Sequence, residues 1–164
     1  MTFRVVPITQ AHIDGFHAVL DAVARERRYL LFLEAPPAAA VRKFALENIK
    51  KGYPHCVALD RERVVGWCDV LPIDRPTRAH NGVLGIGVLA SHRGKGVGDA
   101  LMRATLERSR AFGLTRVELG VRSGNREVVA LYQRFGFVEE GVQRNAVRLD
   151  GHYEDVILMG LLLA

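Results

Sequence analysis

Cysteine is scarce in this 164-residue chain: there are two, Cys56 and Cys68, each inside an apolar stretch. Two such residues exclude a disulfide-stapled scaffold and point to buried free thiols in a reducing, cytoplasmic compartment. The opening segment MTFRVVPITQ lacks the apolar core of a secretory signal, and no apolar run reaches the roughly 18 residues of a membrane span, so a soluble protein with no membrane partner is expected. The six histidines are scattered and no H-x3-H or C-x2-C pair occurs, which leaves no expected metal site. Internal repeats and low-complexity segments are absent. Charge of one sign is never concentrated: residues 1–80 hold 12 basic against 9 acidic residues and residues 81–164 hold 11 against 9, so the net +5 forms no basic block. Nucleic-acid binders gather their charge on a patch or tail. The mild excess suits a small polyanionic ligand and no nucleic acid.

What is present fits one globular domain, residues 1–164, at 49% hydrophobic content. Mixed α and β periodicities alternate along it. Phe3 to Val6 reads as a short strand stopped by Pro7, followed by a helix from about Gln10 to Arg28 and a second from Ala38 to Lys51, ended by Gly52. Cys56 to Leu59 and Val64 to Leu71 read as strands around the charged turn DRER, and PIDRPTRAHNG reads as a loop. A strand at Leu84 to Leu89, a helix from Val97 to Phe112 closed by Gly113, and a strand at Val117 to Val121 come next. Val128, Leu131, Tyr132 and Phe135 then fall at i, i+3, i+4 and i+7, one apolar stripe of a short helix ended by Gly136. The chain closes with strands at about Phe137 to Leu149 and His152 to Leu163, joined by the hairpin turn Asp150-Gly151.

The stretch LGIGVLASHRGKGVGDALM, Leu84 to Met102, places a glycine-rich basic turn between a strand and a helix. A Walker A loop fails, because Lys95 is followed by Gly96 and Leu89 stands where the first glycine belongs. A Rossmann fingerprint fails too, since GKGVG is one residue short between its last two glycines. What remains directs the amides of Gly94 to Gly98 and the positive end of a helix dipole at one point, a site for phosphate or pyrophosphate. On the turn alone, a ligand-free connection is an equal reading.

In the form Q/R-x-x-G-x-G/A, matched by Arg93, Gly96 and Gly98, the turn resembles the cofactor loop of the GNAT superfamily of acyl-CoA-dependent N-acetyltransferases. The preceding strand, the following helix, SGN and ALYQRFGF fall in the family's order, and the tail DGHYEDVILMGLLL is similar to the closing hairpin of its small-molecule branch, which includes amino-acid, polyamine and phosphinothricin acetyltransferases. Residues 55–164 carry the likeness; residues 1–54 match in outline. The resemblance implies an α/β fold: a twisted mixed sheet of about seven strands with about four flanking helices, splayed between the strands at Leu84 to Leu89 and Val117 to Val121. Acetyl-CoA is the implied co-substrate. Its pyrophosphate would lie on the backbone of Arg93, Gly94, Lys95, Gly96, Val97 and Gly98, with the two basic side chains adding charge. Its pantetheine would pair with Ile86, Gly87 and Val88 where a bulge parts the strands. The Val88 amide would polarise the thioester carbonyl. Asn125 matches the family's cofactor-contacting Asn and is equally placed as a helix N-cap. Tyr132 matches the catalytic Tyr, donor of a proton to the departing sulfur, and also lies on the core stripe.

The expected chemistry is direct attack of an amine, since neither cysteine has a histidine motif that marks a nucleophile. A base must deprotonate the ammonium. The candidates for the substrate side are Glu34, Asp69, His80 and Glu154, with Asp155 a further acid; each is also readable as a surface residue or cap. Three functions stay open: a small-molecule amine acetyltransferase, a protein N-terminal acetyltransferase sharing every cofactor residue, and a CoA-binding module without turnover. The family's C-terminal strands often form dimers, so a homodimer is a further expectation from the resemblance.

Overall fold

The computed structural model describes residues 2–163. In chain order the elements are β1 (Arg4–Pro7), a 3₁₀ turn at Gln10–His12, α1 (Ile13–Arg25), α2 (Ala38–Lys51), β2 (His55–Asp60), β3 (Arg63–Pro72), β4 (Asn81–Val88), α3 (Val97–Phe112), β5 (Arg116–Arg122), α4 (Arg126–Arg134), β6 (Val138–Leu149) and β7 (His152–Leu162). The seven strands form one sheet in the order β1-β2-β3-β4-β5-β7-β6, antiparallel everywhere except between β4 and β5.

Alternation along β2 and β3 explains why both read as nearly continuous apolar runs: each is covered on two faces. Cys56, Ala58, Cys68 and Val70 point to α3, where they pack with Leu101, Met102 and Leu106. Val57 and Trp67 point the other way, into a second cluster with Ile13, Phe16 and Val19 of α1 and Val41 and Ala45 of α2. Cys56 and Cys68 face each other across the β2–β3 ladder as buried free thiols. Burial pushes both thiols up, so neither is a ready nucleophile.

Most boundaries shift by a residue from the sequence reading, and three of the differences have a distinct physical reason. Pro7 belongs to β1, paired with Cys56, because β1 is an edge strand whose outer side needs no N–H. The first helix is shorter than Gln10 to Arg28: it begins as a 3₁₀ turn and stops at Arg25, two residues before Arg27, which takes φ 61°. β4 starts at Asn81, inside the stretch read as loop, and its first three residues are the ones that pair with β5. The closing hairpin turns at Asp150 (φ 51°) and Gly151 (φ 79°), the double left-handed conformation that a two-residue turn requires.

Candidate active site

The cleft arises because β4 and β5 part. They are paired only at Asn81↔Arg116, Gly82↔Val117 and Val83↔Glu118, while β4 stays on β3 as far as Val88 and β5 stays on β7 as far as Arg122. The expected bulge is not the cause, since the β3–β4 register runs from Pro72↔Gly82 to Gly66↔Val88 without a shift. The amide of Leu89 donates to the Val65 carbonyl at 2.9 Å. Alternation therefore turns the backbone groups of Val88 and Ile86 away from β3 and into the opening, whereas Gly87, expected to pair with the pantetheine, turns its own to β3. The result is a cavity of about 710 Å³ running from Tyr29–Phe32, past Leu84–Val88 and Tyr132, to Gly94, Gly96 and Gly98.

At the far end, Gly96 is the N-cap of α3 with φ 85° and no side-chain cap, so the first-turn amides of the helix are left for a ligand. Gly94 and Gly96 have nothing within 4 Å of where a Cβ would stand, so an anion can approach the backbone directly. Gly98 differs: it needs no left-handed angle, and its Cβ position is 3.7 Å from Leu131 Cδ2, an ordinary contact. Its requirement is ligand approach, not conformation. Val97 is buried in the core under α3, leaving only its backbone for a ligand.

The basic side chains do not point charge at the turn as expected. Lys95 Nζ donates to the Ser91 carbonyl at 3.0 Å. Arg93 donates from Nη1 to Glu26 Oε1 at 2.7 Å, from Nη2 to Glu26 Oε2, and from Nε to the Val88 carbonyl at 3.0 Å. His92, just before the turn, is held between Asp60 Oδ2 (2.8 Å) and Ser91 Oγ (2.7 Å), which ties the loop to the β2–β3 turn. The loop is thus fixed by its side chains and open along its backbone.

Tyr132 enters the cleft from α4, buried, with its ring 5.7 Å from that of Phe137. Burial pushes its phenol well up, which keeps the proton on the oxygen at neutral pH and makes it a donor. Asn125 occupies the N-cap position of α4 but makes no side-chain cap bond; its Nδ2 donates instead to the Arg28 carbonyl at 2.8 Å.

None of the proposed substrate-side residues forms the cavity wall itself. Glu34 is exposed and accepts from Arg25 at 3.3 Å. His80 is exposed, and its backbone carbonyl accepts from Thr115. Glu154 is spent on Arg122 Nε and the Gly124 amide, each at 2.7 Å, and Asp155 on the Asn145 amide at 2.8 Å. Asp69 alone is next to the opening: it faces Gly85 across the ladder, and its Oδ1 lies 3.3 Å from where a Cβ on Gly85 would stand. Burial raises its carboxyl to about 7, partly offset by the Gly85 N–H. Behind it His55 Nε2, itself without a hydrogen-bond partner, stands 4.0 Å from Asp69 Oδ2, and burial lowers that imidazole to about 4.

Sequence reasoning missed the near wall of the cavity, Tyr29, Leu30, Leu31 and Phe32. The signal was an apolar run, YLLFL, belonging to no periodic element; Leu31, Phe32 and Leu33 are exposed in a row, an apolar patch of the kind that lines a ligand groove.

Comparison with known proteins agrees with this geometry. The pattern of the acetyltransferase (GNAT) family matches residues 17–137. An L-methionine sulfoximine/L-methionine sulfone acetyltransferase of Pseudomonas aeruginosa is 32% identical over 161 residues, covering 93% of this chain and 90% of its own. The L-amino acid N-acetyltransferase AaaT of Escherichia coli is 28% identical, covering 94% of this chain and 96% of its own. In fold, the chain matches a phosphinothricin acetyltransferase of Sinorhizobium meliloti, solved in complex with acetyl-CoA, with a TM-score of 0.92 at 21% identity, over 100% of this chain and 90% of that one. A family match across most of the length, together with a cleft opened between β4 and β5 above a glycine turn, leads to one conclusion: the chain belongs to the acetyltransferase (GNAT) family.

Proposed function

We propose that this chain, acting as a single domain, transfers the acetyl group of acetyl-CoA to the primary amine of a small molecule, an amino acid or polyamine. The observation that carries the reading is the unpaired edge of β4 facing Tyr132 across the cleft. The cradle fits the donor: Gly94 to Gly98 offer open backbone for a pyrophosphate, and Ile86 and Val88 offer a strand edge for an amide-bearing arm. When bound, acetyl-CoA supplies an electrophilic thioester carbonyl. The Val88 N–H donates to that oxygen, Tyr132 donates its proton to the departing sulfur, and Asp69 accepts the amine proton through a water beside Gly85. The apolar wall from Tyr29 to Phe32 suits the side chain of an apolar amino acid. The relatives named for amino-acid substrates lend the same support.

A panel of free amino acids, polyamines and short peptides, with CoA release as the readout, tests this. Turnover concentrated on apolar amino acids is expected. Preference for peptide N-termini would make it a protein acetyltransferase, and no CoA release with any amine would make it a binding module. The long outer strand β6, exposed along most of its length, supports a homodimer, which sedimentation checks. Two buried free thiols are consistent with a cytoplasmic location.

A further inference from the structure

Two of the three polar side chains that the family likeness assigns to the cofactor, Arg93 and Asn125, are bonded to one segment on the opposite side of the cleft. Asn125 Nδ2 holds the Arg28 carbonyl at 2.8 Å. Arg93 grips Glu26, at the C-terminus of α1, with both terminal nitrogens, and its guanidinium carbon lies 4.5 Å from the centre of the Tyr29 ring. Arg122, at the end of β5, adds bonds to the carbonyls of Arg27 (3.1 Å) and Leu30 (3.5 Å). This segment carries the apolar wall of the acceptor pocket, and no regular element holds it: α1 has ended and α2 begins only at Ala38.

From this geometry we infer that Arg93 is a positioning residue for the acceptor pocket, not a phosphate ligand. It braces Tyr29 and the loop behind it against the end of β4. The inference rests on the acetyl-transfer reading for its substrate side and deepens that reading. Three of the five guanidinium donors are committed, two of them in a planar fork against a carboxylate, an arrangement that arginine makes and lysine does not. Turning the side chain to a pyrophosphate would strand Glu26 half-buried without its partner and release Tyr29. The third bond, from Nε to the Val88 carbonyl, anchors the same brace to the strand whose Val88 amide serves the thioester. One guanidinium therefore sets the spacing between donor strand and acceptor wall.

Arginine and lysine separate the two roles. A phosphate ligand tolerates Arg93→Lys, because lysine meets phosphate as a point charge, whereas a forked brace does not. We expect Arg93→Lys, Arg93→Gln and Glu26→Gln each to raise the acceptor KM by about 10- to 100-fold, the scale of a lost hydrogen bond to a charged group. The calorimetric Kd for CoA should move by less than about threefold, since the backbone cradle remains. Amide hydrogen exchange over residues 26–33 should accelerate in all three variants, and thermal melting verifies the fold. The inference is overturned if Arg93→Gln weakens CoA by about tenfold or more while Arg93→Lys and Glu26→Gln bind CoA and acceptor as the unaltered protein does. Should no amine be accepted, the acetyl-transfer reading falls, yet the CoA titration and the exchange of residues 26–33 still decide for or against the brace.

Discussion

The two ends of the cleft are built of different material. The donor end is backbone: an unpaired strand edge at Ile86 and Val88, and a turn whose Gly94 and Gly96 leave their surroundings open. The acceptor end is side chain: Tyr29 to Phe32 on a loop that Arg93, Arg122 and Asn125 tie down. Backbone presents the same groups whatever residues carry it, so the donor end can serve one invariant ligand. Side chains on a tethered loop change with each substitution, which suits an end that must fit one amine among many.

Tyr132→Phe tests the point where the two ends meet and carries the largest expected effect. Loss of a general acid costs on the order of 10² to 10⁴ in turnover. The ring keeps its place against Phe137, so CoA affinity and melting temperature should hold. Unchanged kcat on a verified acceptor would return Tyr132 to a packing role.

Asp69→Asn probes the acceptor side next, with about a 10²-fold fall in kcat/KM expected for loss of a base acting through water. The unaltered enzyme should show a rising limb with an inflection near 7, where Asp69 ionises, and the variant should lack it. Stability must move the opposite way. A carboxyl whose folded pKa is raised holds its proton more tightly when folded; that contribution is full below the unfolded value and is lost as pH rises through about 7. Asp69→Asn should therefore melt higher than the unaltered protein at pH 8, higher by a smaller margin at pH 5, and alongside it only below about pH 4. A lower melting point at pH 8 would show that the ionised carboxylate stabilises the fold.

The donor end is best tested through its glycines. Gly96→Val forces a β-branched residue to φ 85° and puts its side chain where the anion must approach, for a loss of about 10- to 100-fold in CoA affinity. Lys95→Ala, which removes a charge already bonded to the Ser91 carbonyl, should change CoA affinity by less than about threefold. Calorimetry that reversed this order would mean that charge, not open backbone, holds the pyrophosphate.

The same contrast explains what could be read before any coordinates. Arg93-Gly-Lys-Gly-Val-Gly was legible because a backbone site imposes glycines at fixed spacing, and Tyr132 because ALYQRFGF resembles the family's sequence there, while its helical spacing alone read equally as core. The fold was legible in its alternation, with errors where local rules yield to position: Pro7 fits because β1 is an edge, and Asn81–Val83 become strand because β3 and β5 flank them. Arg93's actual partner was not legible. Glu26 lies 67 residues away, and no local pattern links a helix C-terminus to a glycine turn. Asp69 was one acid among several until burial and its place opposite Gly85 set it apart.

The parting of β4 from β5 leaves one strand with two kinds of amide. Gly85, Gly87 and Leu89 lean toward β3, whereas Ile86 and Val88, beyond the last β5 partner at Val83, turn their amides to the cleft. In deuterated buffer the ligand-free protein should lose the protons of the second set quickly and those of the first set slowly, a period-two alternation read residue by residue along a single strand. A pantetheine arm lying along that edge would slow the fast set and leave the slow set as it was. The strand would then report occupancy of the donor site by itself, with no label, no acceptor and no turnover.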